Sequence, residues 1–137
     1  MKIKLDKGAY MPERAHESDA GLDLRSPIDI YVPPKGFALI DSGVHIQLPL
    51  GTVGFLKSKS GLNIKHGITS EGVIDAGYTG SIRVKLDNGW NIGYHVRRGD
   101  KISQLVVLPL ADVGCLEQVD ELDASERGDG GFGSTGK

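Results

Sequence analysis

Apolar and polar side chains alternate in short runs along most of this chain. Ile82-Arg83-Val84-Lys85-Leu86 is the clearest case, with every second side chain apolar. That is the two-residue period of a strand with one buried face. Similar runs predict strands over 28–32, 37–41, 44–48, 52–57, 81–86, 91–96 and 102–108. Pro33-Pro34 ends the first, Ser42-Gly43 separates the second from the third, and Pro49 follows the third. Asn88-Gly89 predicts a tight hairpin turn, because both central residues of a type I′ turn need positive φ. Only 60–65 reads as helix, at most two turns of it. Many short strands punctuated by Gly and Pro predict an all-β barrel or sandwich. The chain shows no internal repeat and no linker.

Composition narrows the function classes. A length of 137 residues fits one domain with a modest core. Sixteen Lys and Arg against eighteen Asp and Glu leave a net charge of −2. That balance does not suit non-specific binding to nucleic acid or to a membrane surface. No apolar run approaches the roughly 20 residues needed to cross a bilayer. The start, Met1 to Asp6, has no apolar h-region, so secretion is not expected. The single Cys115 can form no internal disulfide, which fits a reducing, cytoplasmic setting. His16, His45, His66 and His95 show no close metal-ligand spacing and read as surface or hydrogen-bonded residues. Glycine is the outlier: 20 residues is roughly twice average usage.

Four segments could carry chemistry, each with a plainer alternative. Asp19 and Asp23 lie four apart and could hold a hydrated Mg²⁺ with phosphates, or face solvent. Lys57 to Gly61 opens the helical stretch with two lysines and serine hydroxyls, either an anion site or a solvated cap. Gly72 to Gly80 is apolar around Asp75, with Tyr78 beside it; Asp75 could start a turn, or serve as a general base in a pocket. From 120 to 137 the only large apolar side chains are Leu122 and Phe132, and such a tail cannot fold alone. It reads either as a disordered tail or as a flap ordering on an anionic, planar ligand. Gly128-x-Gly130-x-x-Gly133 and the Gly131 to Lys137 run match dinucleotide and Walker patterns, but both mechanisms need a strand before and a helix after. What survives is phosphate-binding chemistry: exposed glycine N–H groups, the Ser134 and Thr135 hydroxyls, and the Arg127 fork. Arg-Gly-Asp occurs at 98–100 and 127–129, and no adhesion role is expected of it, since secretion is not expected.

Taken jointly, five segments are specific. Asp19 to Leu24, Lys59-Ser60-Gly61-Leu62, Gly72 to Gly80, Gly99 to Leu105 and Arg127 to Gly136 occur in this order. They resemble the five motifs of the homotrimeric dUTPases (deoxyuridine triphosphate nucleotidohydrolases) over 19–136. The resemblance implies a jelly-roll β-barrel with one short helix and a flexible C-terminal arm. It divides the chain into a β domain, 1–122, and an arm, 123–137, that closes a neighbouring subunit's site in a homotrimer. It implies hydrolysis of dUTP to dUMP and pyrophosphate, with Asp75 activating water for attack on the α-phosphorus. Mg²⁺ would travel with the triphosphate, and Asp23 would reach it through water. Lys59, Ser60 and Gly61, with Gln104 assisting, would hold phosphate. Thr69 and Arg83 stand at further substrate contacts. Gly72, Val73, Ile74 and Asp75 would read the uracil edge through main chain. Tyr78 would pack under the deoxyribose, Phe132 would stack on uracil, and Arg127, Gly133 and Ser134 would cover the γ-phosphate.

Three positions depart from the family pattern. Ser58-Lys59 replaces Pro-Arg, which keeps a charge but loses the planar fork. Thr69 stands where many members have Asn, and Ser81 where Glu is common. Ser81 also argues against the related dCTP deaminases, whose chemistry needs a catalytic Glu nearby. Two alternatives remain: a dUTP-gated regulatory binding protein of the same fold, and a deaminase-type relative.

Overall fold

Strand β4 (Phe37–Gln47) organises the molecule, and its inward positions Ala38, Ile40, Ser42, Val44 and Ile46 are all buried. The computed structural model describes residues 1–114, 116–126, 128 and 129. Within them lie β1 (Lys2–Leu5), β2 (Gly21–Arg25), β3 (Ile30–Val32), β5 (Thr52–Lys57), α1 (Ser60–His66), β6 (Ile68–Thr69), β7 (Glu71–Asp75), β8 (Ser81–Asn88), β9 (Tyr94–Val96) and β10 (Lys101–Pro109). Two four-stranded antiparallel sheets, β1-β4-β8-β6 and β2-β10-β5-β7, and a two-stranded ribbon, β3-β9, share one core. This is an all-β fold of jelly-roll type with one short helix. Ile40 and Ala38 face Val84 and Leu86 across the first sheet, and Leu24, Leu56, Ile74, Ile102 and Leu105 close the core from the second. Burying each Val, Leu or Ile contributes about 1.5–3 kcal/mol, and α1 contributes no fully buried residue. The strands therefore carry the stability, and α1 is held by Gly67 in the left-handed region (φ 65°) and by partly buried Leu62.

Two expected turns take another form. Ser42-Gly43 does not end a strand: β4 runs through it as a bulge, with the register shifting between Asp41 and His45 and Gly43 at φ 66°. Ser42 Oγ, fully buried, donates to Ile82 O at 2.6 Å and accepts from Val44 N at 3.2 Å, so the polar break costs no unpaired group. Asn88-Gly89 does not make a hairpin, because β8 pairs with β4 and β6 while β9 pairs with β3. Instead buried Asn88 accepts from Trp90 N at 2.9 Å and donates to Ile92 O at 2.8 Å, organising a wider loop.

The loop after β7 is tied to Asp6, just past the end of β1, through His45 of β4. Its Nε2 lies 3.0 Å from Asp6 Oδ2 and its Nδ1 lies 2.9 Å from Thr79 O. Both partners are acceptors, so only the imidazolium satisfies both contacts. The Asp6 carboxylate, then the Thr79 carbonyl, raise the His45 pKa above its ordinary 6.5, and the His45 hydrogen bond lowers that of Asp6. A raised folded value gives stability that is complete below the unfolded pKa and lost as pH rises through the folded one. The thermal-stability advantage of the wild type over His45→Gln is therefore expected to be full below the ordinary imidazole value of about 6.5 and to fall away as pH rises above it. A difference in Tm that stays flat across that rise contradicts the clamp.

Candidate active site

Alternation along β7 aims Val73 and Asp75 outward and Ile74 into the core. Asp75 ends the strand, and Ala76-Gly77 form a turn closed by Tyr78 N donating to Asp75 O at 2.9 Å. Asp75 starts a turn, and it also lines a groove of about 240 Å³ with Val73, Ile74, Tyr78 and Arg83. Asp75 is exposed, and no donor among the described residues reaches its carboxylate. The carboxylate is therefore open to the groove. Tyr78 lies across Gly80, where a Cβ would stand 2.5 Å from the Tyr78 hydroxyl oxygen. That hydroxyl donates to Ser81 O at 2.9 Å, so the ring is held as a fixed platform. Arg83 is largely exposed, with Asp41 at 3.9 Å.

A second cluster sits where β5 runs into α1. Gln104 of β10 lies opposite both Lys57 of β5 and Asp23 of β2 in the strand register. Asp23 does not face solvent: it is 4% exposed, with Lys59 bonded to its Oδ1 and Lys101 Nζ 2.7 Å from its Oδ2. The Lys101 ammonium stands off the hydrogen-bond direction, so it meets Oδ2 as a charge. Burial pushes the Asp23 carboxyl up, but Lys101 and Lys59 outweigh it and hold its pKa below the ordinary value. Asp19 plays a different part, its carboxylate capping a turn by accepting from His16 N at 3.0 Å. Lys59 occupies the N-cap position of α1, and its side chain caps nothing there, which leaves the ammonium free for Asp23. Ser60 and Gly61 lie on the same turn, Ser60 exposed and Gly61 with open space around its Cα, and Thr69 is half-buried beside Ser70.

Serine side chains fix this turn, and sequence patterns did not single them out for it. Ser58 Oγ donates to Ser70 O at 3.1 Å and accepts from Ser70 N at 2.9 Å. Where the family pattern carries Pro, Ser58 thus supplies rigidity through hydrogen bonds. Ser70 Oγ meets Ser103 Oγ at 2.8 Å, Ser103 Oγ donates to Lys57 O at 3.1 Å, and Gln104 Nε2 donates to Ser58 O at 3.2 Å. A hydroxyl at 103 between apolar Ile102 and the Leu105 side was the available signal. Lys101 lies within the Gly99 to Leu105 segment, but no local pattern marks its approach to Asp23, which is distant in sequence.

The two clusters stay apart within one chain. Val53 pairs with Asp75 and Lys57 with Glu71, at opposite ends of the β5–β7 ladder. Four residues of strand at about 3.3 Å each separate them by roughly 13 Å. One end holds Asp75, Val73, Ile74, Tyr78 and Arg83; the other holds Lys59, Ser60, Gly61, Asp23, Gln104 and Thr69. Gly72 lies between, opposite Leu56. Arg127, Phe132, Gly133 and Ser134 lie outside the described residues.

The donor set fits a divalent cation in one manner only. Among the described residues no three His, Cys, Asp or Glu side chains converge. Asp23 alone, between two ammonium groups, suits an ion that arrives already neutralised by phosphate and is met through water. No helix of the described residues is long and apolar enough to cross a membrane.

A family profile described as dUTPase matches residues 7–136. Deoxyuridine 5'-triphosphate nucleotidohydrolase of Clostridium kluyveri is 45% identical over 136 residues, covering 97% of this chain and 94% of its own. The enzyme of that name from Clostridium tetani is 45% identical over 141 residues, covering 100% and 97%. Among solved structures, the dUTPase of Staphylococcus bacteriophage 80alpha with dUpNHpp superposes with a TM-score of 0.91 at 33% identity, over 99% of this chain and 98% of that one. A point mutant of the dUTPase of S. aureus phage phi11, described with a structural Mg(II) ion, gives 0.79 at 30% identity over 88% and 96%. With motif order, fold and near-complete coverage in agreement, the chain belongs to the dUTPase family.

Proposed function

We propose that this protein is a dUTP diphosphatase, converting dUTP and water to dUMP and pyrophosphate. The observation that carries the proposal is the Asp75 carboxylate, free of any described donor, in a groove with Tyr78 and Arg83. Asp75 removes a proton from water as its oxygen attacks the α-phosphorus. The bond from that phosphorus to the bridging oxygen breaks, and pyrophosphate leaves with its electron pair. A positioned base supplies about 10²–10⁴-fold of rate. The remainder comes from in-line placement and from charge held against the phosphates by Lys59, Ser60, Gly61 and Gln104. Main chain of Gly72 to Asp75 reads the uracil edge, Val73 and Ile74 included, with Thr69 and Arg83 as flanking contacts. Mg²⁺ arriving with the triphosphate would supply charge neutralisation, and Asp23 is the residue that would hold it through water.

The separation of the two clusters supports a site shared between subunits of a homotrimer. The groove at Asp75 then faces the Lys59 cluster of a neighbour. Leu110, Val113, Leu116, Val119 and Leu122 are all exposed after β10, apolar surface that association would cover. The same reading assigns 1–122 to the β domain and 123–137 to an arm that closes the site with Arg127, Phe132, Gly133 and Ser134.

Purified protein with Mg²⁺ is expected to release pyrophosphate from dUTP, with UTP, dTTP and dCTP far poorer. Preference for dCTP with loss of ammonia would sink the proposal in favour of a deaminase. Tight dUTP binding without turnover would favour a regulatory binding protein. Gly80→Ala is expected to push Tyr78 off its platform and raise KM for dUTP about tenfold, near 1.4 kcal/mol, with the Tm close to wild type. An unchanged KM would show that Tyr78 does not support the sugar.

A further inference from the structure

The Lys59–Asp23–Lys101 cluster has one ammonium more than its buried carboxylate needs. Lys59 and Lys101 differ in what they can do. Lys101 opens β10, and its backbone is held in the ladder with Arg25 of β2. Lys59 sits at the head of a seven-residue helix with no side chain buried in the core, on a turn whose backbone is pinned by Ser58 and Gln104. Its ammonium is a compact charge on a flexible stem, and only that stem must turn for it to change partners. An aspartate at 4% exposure cannot lose its sole counter-ion without a large penalty, but this one would keep Lys101 at 2.7 Å.

We propose that Asp23 and Lys101 form a latch that holds the Lys59 ammonium until a nucleoside triphosphate draws it away. Lys101 is the positioning residue: it keeps Asp23 compensated, so that Lys59 can leave. Departure of Lys59 vacates Oδ1, which can then accept from a water of the cation that the triphosphate carries. Phosphate capture and metal engagement thereby become one exchange. The proposal rests on the assignment of Lys59 to phosphate.

Binding of non-hydrolysable α,β-imido-dUTP, measured by calorimetry on the intact protein in EDTA, tests it. Asp23→Asn is expected to tighten Kd about fivefold by releasing Lys59, and that gain is expected to shrink below about twofold in a Lys59→Met background. Lys101→Met leaves Lys59 as the only counter-ion and is expected to weaken Kd about fivefold, with Lys101→Arg restoring it and the loss vanishing when Asp23 is Asn. A bare change of local charge would persist in both backgrounds, and such persistence overturns the latch, as does absence of any change. Thermal denaturation of each variant checks folding, and should Asp23→Asn not fold, the Lys101→Met and Lys101→Arg pair still decides. If the wild type fails to bind the analogue even with Mg²⁺, the dUTPase reading itself falls. If it binds and the cycles show no coupling, only the latch does.

Discussion

Asp75→Asn is expected to fold, to assemble as the wild type does, and to lose about 10²–10⁴-fold in kcat. The amide keeps the shape of the side chain and removes the basic oxygen. Folding should be indifferent, because Asp75 is exposed and accepts no described hydrogen bond through its carboxylate; such surface changes usually stay within about 0.5 kcal/mol. The turn itself is held by the Asp75 main-chain carbonyl accepting from Tyr78 N at 2.9 Å, which the substitution leaves in place. Binding of α,β-imido-dUTP should change little, since the base acts on water and not on the nucleotide. A loss confined to kcat separates a base from a ligand contact. Turnover within tenfold of wild type would remove Asp75 from the chemistry, and a fall in Tm matching the fall in rate would reduce it to a turn residue.

Much of the scaffold is legible in the sequence because alternation and burial coincide. The Ile82 to Leu86 pattern faces the core as written, and the helix expected over 60–65 runs one residue further, to His66. The failures have physical causes. Gly43 reads as a break because positive-φ glycines usually mark turns, but the alternation of Ile40, Ser42 and Val44 continues across it, and the bulge preserves that alternation. Asn88-Gly89 carries a turn signature, but tertiary pairing of β8 and β9 with different partners overrides it. Strand β2 is hidden in the sequence because Asp23 interrupts its apolar run, and only two lysines distant in sequence make that carboxylate tolerable inside. Motif order picks out the residues proposed for chemistry and for phosphate, yet their division between two ends of β5 is a consequence of register, which no local pattern encodes.

Ending the chain after Asp123 is expected to leave a folded protein with kcat/KM for dUTP down by at least about 10²-fold, the scale of lost positioning. The core cluster runs from Leu24 to Leu105 and takes nothing from the described residues of the removed segment. From Leu110 onward every described residue is exposed, so that segment's described part contributes little burial to one subunit. The cut also spares Leu110, Val113, Leu116, Val119 and Leu122, the apolar surface assigned to association, so the proposed trimer should survive it. What it removes is the Arg127 fork, the Phe132 ring and the glycine-spaced hydroxyls of Ser134 and Thr135, groups whose chemistry suits a base and a terminal phosphate. Closure acts on the transition state as well as on binding, so kcat should fall together with a rise in KM. Thermal denaturation and sedimentation of the truncated chain distinguish the outcomes. A protein that no longer folds would place 123–137 in the structural unit, and a folded protein with unimpaired kinetics would leave the tail outside the site.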